Sequence, residues 1–186
     1  MATLEELKAI VDEANKAYLE ARRKKDFLES IQLCESRDLE EFKAVGLGGR
    51  VFQIMGWDYY YIGNLAHRKQ AIGVIKHAGH YYKAILLWQE GLKIEKDPKI
   101  RISILEGLTL AWRWLVDEGE TYPKNWFELL PEERKRLRKR AYEYSQQGIV
   151  EAGASGDPEL LKLAQHARDA LLFEEEWPLE EAREKW

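Results

Sequence analysis

The sequence contains one dense run of positive charge, in which six of the seven residues 134–140 are Lys or Arg. A run of this kind can contact the phosphates of a nucleic acid. Because consecutive residues point to different sides of a helix, the charges would not form one stripe, and the acidic segment 174–186 offers them a counterpart. The run therefore predicts nucleic-acid binding through Arg136, Lys139 and Arg140 as an alternative function only.

Histidines raise the question of a metal site, since His77 and His80 lie three residues apart and His67 precedes them. Gly79 lies between the first two, and a turn there would put them on different sides of the chain. No Asp or Glu has a spacing that would complete a ligand set. We therefore expect neither a metal nor another cofactor.

The single cysteine, Cys34, excludes an intramolecular disulfide and a thiolate zinc cluster. The chain has no apolar run of about 18 residues, the length that a membrane span needs. Residues 1–18 carry acidic side chains in a helical pattern, unlike a secretory signal. These features predict a cytoplasmic protein without membrane partners.

No arrangement of residues indicates catalysis. The sequence lacks a P-loop and a nucleophile elbow, and its 33 acidic residues give no reason to choose one pair for acid–base work. We name no catalytic residue, and the sequence favours a protein that is not an enzyme. An all-helical enzyme with an unrecognised site stays open as a second alternative.

The composition predicts an all-α fold. About half of the chain is Ala, Glu, Lys, Leu or Arg, and Val, Ile and Thr are scarce, which argues against a large sheet. Apolar residues make up 45% of the chain at a net charge of -4, so the chain can bury enough surface to fold.

Start and stop residues divide the chain into helices. Thr3 and Glu6 have capping-box spacing, and the pairs Asp97–Pro98 and Asp157–Pro158 are typical of helix starts. The expected helices cover 3–25, 26–45, 50–78 and 81–92, and three more follow from Pro98, Pro131 and Pro158, with the proline-containing segment 119–131 as an interruption.

We expect a single all-helical domain over residues 1–173, followed by an acidic tail over 174–186. Trp177 and Trp186 lie in that tail, and terminal residues are frayed unless something holds them. Docking of the tail on its own chain and exchange with a second copy are both open, so a homo-oligomer is one possible assembly.

Glycines punctuate the helical sequence at a regular interval, since Gly79, Gly119 and Gly156 follow one another after 40 and 37 residues. Helix-pair repeats have periods in this range. The unit 72–94 resembles the second half of a tetratricopeptide repeat. The matching residues are Gly79 at the turn between helices, then Tyr81, Ala84, Ile85, Trp88, Gly91, Leu92 and Ile94.

The first half of that repeat matches less well. Where the family has Trp, Leu, Gly and Tyr, this chain has Arg68, Ala71, Ile72 and Ile75, and the closing proline is displaced to Pro98. The resemblance implies antiparallel helix pairs stacked as a short solenoid. An irregular helical bundle built on the same packing rules is the alternative.

The resemblance also implies a protein-interaction or adaptor module, because the first helices of such repeats line a peptide-binding groove. The groove positions of the matching unit are Ala66, Lys69, Gly73, Lys76 and His77, and an alignment through Gly119 adds Glu106, Thr109 and Arg113. We expect Lys69, Lys76, His77 and Arg113 to contact the partner. Such a cationic groove suits an acidic peptide or partner helix.

Overall fold

The computed structural model describes residues 2–24, 26–69, 74–121 and 131–172, with side chains described except at 66–69, 74–78, 117–121 and 172. These residues form eight helices and no strand, so the all-α prediction is confirmed. The helices are α1 (Leu4–Lys24), α2 (Leu28–Glu35), α3 (Leu39–Ala44), α4 (Gly48–Lys69), α5 (Val74–Ile94), α6 (Pro98–Thr121), α7 (Pro131–Ser155) and α8 (Pro158–Leu172). The tail 174–186 and residues 122–130 lie outside the described part.

The predicted helix starts at Thr3 and Asp97 are confirmed by their hydrogen bonds. The Glu6 amide donates to Thr3 Oγ1 at 3.2 Å, and the Thr3 amide donates to Glu6 Oε2 at 2.8 Å, which completes a capping box. The Lys99 amide donates to Asp97 Oδ1 at 2.8 Å. Each contact satisfies a backbone donor that the first helical turn leaves without a partner.

The prediction of one continuous helix over residues 26–45 is wrong, because the chain forms two short helices there, α2 and α3. Asp38 is the N-cap of α3, and its side chain accepts from the Glu40 amide at 3.0 Å. The Ser36 hydroxyl donates to the Leu33 carbonyl at the end of α2. Side chains that bond the local backbone in this way compete with a continuous helix.

The turn expected at Gly79 is also wrong, because α5 runs through this residue from Val74 to Ile94. A Cβ at Gly79 would meet nothing within 4 Å, so no close approach requires the glycine. Glycine inside a helix costs roughly 1 kcal/mol relative to alanine. Burial of Tyr81, Ala84 and Ile85 from the same helix offsets that cost.

The two later glycines behave differently from each other. The helix α6 continues through Gly119 to Thr121, so the expected break at Gly119 is wrong. Gly156 does end a helix: it has φ +70° between α7 and α8, a backbone conformation that glycine adopts without strain. The Glu159 amide then donates to Asp157 Oδ1 at 2.9 Å and caps α8.

The helices pack as successive pairs. The pairs are α1 with α2, α4 with α5, and α6 with α7, and the second helix of each pair also packs on the helix that begins the next unit. Thus α2 packs on α1 and α4, α5 packs on α4 and α6, and α7 packs on α6 and α8. Contacts of Gln53 with Ser103 and of Tyr60 with Trp114 show that α4 and α6 run in the same direction. The helix α6 is enclosed by α4, α5, α7 and α8.

Trp88 of α5 fills the space between two pairs. Its indole is fully buried and lies against the backbone of Gly56 on α4 and of Gly107 on α6. A Cβ on Gly107 would come within 2.5 Å of the ring, and a Cβ on Gly56 would also overlap it. The indole Nε1 donates to the Gln53 carbonyl at 3.2 Å. The two glycines therefore let α4 and α6 close around one large side chain.

Arg101 holds three helices together at the boundary between pairs. Its Nε and Nη2 donate to the Glu151 carboxylate of α7 at 2.7 and 2.8 Å. Its Nη1 donates to the carbonyls of Leu92 and Glu95, both at 2.9 Å, at the end of α5. The hydrogen bonds from Arg101 lower the pKa of Glu151, so this pair stays ionised at neutral pH.

Candidate functional site

The first helices of three successive pairs meet at one partly exposed site, which we call the Glu106 site. It consists of Tyr18 and Arg22 from α1, Trp57 and Tyr61 from α4, and Ser103 and Glu106 from α6. Both α1 and α6 pack on α4, so α4 forms the middle of the site. Ser103 and Glu106 lie three residues apart and therefore share one side of α6.

Tyr61 is the centre of the aromatic part of the site. Its ring stacks with those of Phe27 and Trp57, with centroids 5.6 and 5.7 Å away, and lies 6.3 Å from that of Tyr18. The Arg22 guanidinium lies over the same ring, 5.4 Å from its centroid. No described residue gives Arg22 a hydrogen bond or an ion-pair partner. Arg22 is thus an exposed cation held on an aromatic ring.

Ser103 accepts two hydrogen bonds from α4. Gln53 Nε2 donates to Ser103 Oγ at 2.7 Å and Trp57 Nε1 donates to it at 2.9 Å. Arg50 extends this network to α1, because its Nη2 donates to Asn15 Oδ1 at 2.8 Å and its Nη1 to Gln53 Oε1 at 2.5 Å. The Ser103 hydroxyl hydrogen has no acceptor among the described residues and is left for a ligand or water.

Glu106 is a partly buried carboxyl group without a partner. Among the described residues, no hydrogen bond or ion pair engages it. Burial raises its pKa to about 7, against a smaller opposing effect of the Arg22 charge. The acid and its ionised form are therefore both populated near neutral pH.

A second buried carboxyl group, Asp58, lies where α4 packs on α1 and α2. Its Oδ2 is 2.7 Å from Ser30 Oγ, which is also 3.1 Å from the Ala14 carbonyl, and its Oδ1 has no partner. Ser30 has one hydrogen to donate, and both contacts are satisfied when Asp58 is protonated and donates to Ser30. Burial raises the pKa of Asp58 to about 7, in agreement with that hydrogen count.

Cys34 and Tyr18 lie beside Asp58 and are poor candidates for chemistry. Burial raises the pKa of the Cys34 thiol to about 12, with a further contribution from the Asp58 charge. Burial also raises the pKa of Tyr18. Neither side chain is an activated nucleophile at neutral pH.

The predicted groove residues do not lie on one helix. Lys69 ends α4, whereas Lys76 and His77 belong to the first turn of α5. The side chains of these three residues lie outside the described part of the chain. Because Lys69 belongs to α4 and the other two residues to α5, their expected placement on one helix is wrong, and their contact with a partner stays a prediction.

The α6 positions that were aligned through Gly119 fall into two groups. Glu106 and Arg113 are partly exposed, and they lie seven residues apart on the same side of α6. The Arg113 guanidinium lies 6.0 Å from the centroid of the Trp114 ring. Thr109, by contrast, is fully buried and donates to the Leu105 carbonyl at 2.8 Å, so its expected groove position is wrong.

The basic residues of α7 point in different directions. Arg136 and Lys139 are exposed, and Lys139 Nζ lies 3.9 Å from the Glu143 carboxylate. Arg140 turns to α6, where its guanidinium lies 5.9 Å from the centroid of the Trp112 ring. The run therefore offers no single stripe of charge, as its spacing predicted.

Sequence reasoning missed the buried Asp58 and the α1 part of the Glu106 site, although two signals were present. Asp58 is the single acidic residue between Glu41 and Glu90. Glu106 likewise is the single acidic residue between Asp97 and Asp117. An isolated acid in a long apolar helix is expected to be buried or functional, because a solvent-exposed face usually carries several charges.

Comparison with protein-family models, with curated proteins and with solved structures gives no match for this chain. Within the described ranges, none of the helices is both long and apolar enough to cross a membrane. The same residues contain no group of three or more His, Cys, Asp or Glu side chains that could hold a metal ion.

Proposed function

We propose that this protein is an interaction or adaptor module that binds an acidic segment of a partner protein across α1, α4 and α6. The single observation that carries the proposal is Arg22, an exposed guanidinium that is held over Tyr61 and has no acidic partner among the described residues. Arginine in this state forms charge-assisted, bidentate hydrogen bonds with carboxylates.

The arrangement of the helices supports the same proposal. The first helices of successive pairs lie side by side, as in the tetratricopeptide-like solenoid that the sequence resembles, and a groove in such scaffolds lies along those helices. Arg113 adds a second cation on the same side of α6 as Glu106. A peptide that extends across α4 could therefore contact positive charge on both α1 and α6.

The proposal is tested with labelled peptides and a matched pair of variants. We expect fluorescein-labelled hexaglutamate to bind, and hexalysine not to bind, at low ionic strength in fluorescence anisotropy. Arg22→Ala should weaken hexaglutamate binding about tenfold, since a hydrogen bond between charged groups contributes roughly 1.5–3 kcal/mol. Arg23→Ala removes the same charge one residue further along α1 and should change the affinity less than twofold. Equal effects of both variants would refute the site.

A nucleic-acid function remains the alternative because Arg136 and Lys139 are exposed on α7. It predicts that labelled single-stranded DNA binds in a salt-dependent manner and that Arg136→Gln with Lys139→Gln abolishes the binding. Binding of DNA with these properties, together with no binding of hexaglutamate, would replace the acidic-segment proposal.

A further inference from the structure

The side of α7 that packs on α8 changes its chemistry along the helix. Its buried residues are the small side chains of Ala141, Ser145, Gly148 and Ala152. They follow one another after three or four residues and so share one side of α7. The same spacing continues toward the start of α7 through Arg138 and Arg134. Both arginines are partly buried, whereas Arg136 and Lys139 are exposed, so two cations extend the side that contacts α8.

The contacts between α7 and α8 fix how the two helices are aligned. A Cβ on Gly148 would lie 3.8 Å from the Cβ of Ala164, so these two residues face each other. The helices run antiparallel, because a short turn joins them. Two helical turns away from this contact, Ala141 and Leu171 belong to the same buried cluster. Residues that are equally far from the contact on the two helices therefore lie opposite each other.

The same alignment brings acidic residues to the two arginines. If the chain continues along α7 after Leu171, Glu174 comes opposite Arg138, and two more glutamates follow at 175 and 176. The tail 174–186 contains six acidic and two basic residues, whereas six of the seven residues 134–140 are basic. Guanidinium groups and carboxylates form paired, charge-assisted hydrogen bonds. Position and charge therefore indicate the same occupant for the start of α7.

We propose that residues 174–176 form ion pairs with Arg134 and Arg138 of the same chain, so that the acidic tail covers the first turns of α7. This inference concerns other helices than the proposed function and does not depend on Arg22. The tail is then an internal ligand of the basic run. A nucleic acid has to displace the tail before the run can contact phosphates, so the tail inhibits the alternative function.

The short connection favours the same chain over a second copy. Only Leu172 and Phe173 separate the buried Leu171 from Glu174. A short connection keeps the two groups at a high effective concentration, on the order of millimolar, which a second copy reaches only in a concentrated solution.

The test is cross-linking with a water-soluble carbodiimide, which joins a carboxylate to a lysine amine where the two groups are in contact. Arginine does not react, so Arg138→Lys introduces an amine at the proposed contact and keeps the charge. We expect an amide link between position 138 and one of residues 174–176, identified by mass spectrometry of the digested monomer band. Arg136→Lys is the matched control on the exposed side of the same helix, and its link should be at least tenfold less abundant.

The outcomes separate the possible occupants. Equal yields from the two variants, or no link in Arg138→Lys, would overturn the inference. A linked product of twice the chain mass would show that the tail pairs with a second copy, and the commitment to the same chain would be wrong. Both variants keep charge and side-chain length nearly unchanged, and far-ultraviolet circular dichroism checks that they are folded.

A charge exchange tests the ion pairs without cross-linking. Arg134→Glu with Arg138→Glu should lower the midpoint of thermal unfolding, because the acids of the tail then face like charges. Addition of Glu174→Arg, Glu175→Arg and Glu176→Arg should recover more than half of that shift, since the pairs form again with reversed signs. No recovery would overturn the inference.

The control for the exchange separates local pairing from net charge. Asp12→Arg, Glu13→Arg and Glu35→Arg reverse three exposed acids of α1 and α2. Combined with the two arginine reversals, they change the net charge by the same amount as the tail substitutions and should recover none of the shift. Equal recovery in both combinations would show a net-charge effect and would also overturn the inference.

Discussion

Trp88 and Asp58 are both completely buried between helices of different pairs, yet their surroundings differ in kind. Trp88 has its indole hydrogen bonded to Gln53 and fits between the backbones of two glycines. Asp58 has one oxygen without any partner among the described residues, and its other oxygen satisfies Ser30 only when the Asp58 carboxyl group is protonated and donates to the Ser30 hydroxyl. The contact of Trp88 depends on close packing, whereas the contact of Asp58 with Ser30 depends on a proton on the carboxyl group.

The difference teaches where the fold is sensitive to solution conditions. Close packing of an apolar ring does not depend on pH, so the contact of α5 with α4 and α6 should be constant. A buried acid is stable only while it is neutral, so the contact of α1 and α2 with α4 should weaken as pH rises. Substitution of the ring should therefore disrupt the first contact, and a rise in pH should weaken the second.

Removal of the Trp88 ring should have the largest effect. Trp88→Ala should lower the free energy of unfolding by roughly 3–5 kcal/mol, because it leaves a large cavity between α4 and α6. Leu86→Ala is the matched control, since Leu86 lies on the same helix and is 62% exposed. Its effect should stay within about 0.5 kcal/mol. Urea denaturation measures both, and comparable losses would show that the ring is not the main contact.

Replacement of Asp58 should remove a pH dependence. The pKa of Asp58 is higher in the folded protein than in the unfolded chain, so the folded state holds more protons and stability falls as pH rises from about 4 to about 7. Between pH 5 and pH 8 this loss is on the order of 3 kcal/mol. Asp58→Asn can donate to Ser30 at every pH, so urea denaturation should find it similar to wild type at pH 5 and more stable at pH 8.

The effect of Asp58 is measured as the difference in the free energy of unfolding between the wild type and Asp58→Asn at each pH, and not from the wild-type values alone. Glu106 also has a raised pKa and contributes to the wild-type curve in the same direction. Subtraction of the Asp58→Asn curve cancels that contribution. A constant difference between pH 5 and pH 8 would mean that Asp58 is ionised in the fold.

Two alanine substitutions at helical glycines should have opposite signs. Gly56→Ala places a methyl group against the Trp88 ring and should destabilise the fold by roughly 1–3 kcal/mol. Gly153→Ala lies inside α7 with nothing within 4 Å of its Cβ, and should stabilise the fold by about 0.5–1 kcal/mol. Thermal unfolding distinguishes the two, and a stabilising Gly56→Ala would contradict the close fit around Trp88.

The sequence predicted the helix boundaries best where they depend on local contacts between a side chain and the nearby backbone, or on the conformation of a single glycine. The capping contacts of Thr3 and Asp97 are local, and so is the left-handed turn at Gly156. The expected turn at Gly79 was wrong because long-range burial of α5 overrides the weak local preference of one glycine. Trp88 is one of the residues that match the repeat, and the structure places its ring between two helix pairs, against Gly56 and Gly107.

The candidate site was predictable only in part. Periodicity within α6 is enough to put Glu106 and Arg113 on one side of that helix. Arg22 and Tyr18 come from α1, and their contact with Tyr61 depends on how α1 packs on α4. No local pattern carries that information, because it is set by the burial of residues that lie far apart in the chain.

Arg101 has a consequence for the order in which the molecule opens. One guanidinium joins the last carbonyls of α5 to the side of α7, so fraying of the end of α5 also breaks two hydrogen bonds from Arg101 at this boundary. Backbone amides near this point should therefore exchange with solvent deuterium only in large cooperative openings, whereas helix ends without such a contact exchange by local fraying. The boundary between two helix pairs, where a stacked array is usually easiest to divide, is here among the last places to separate.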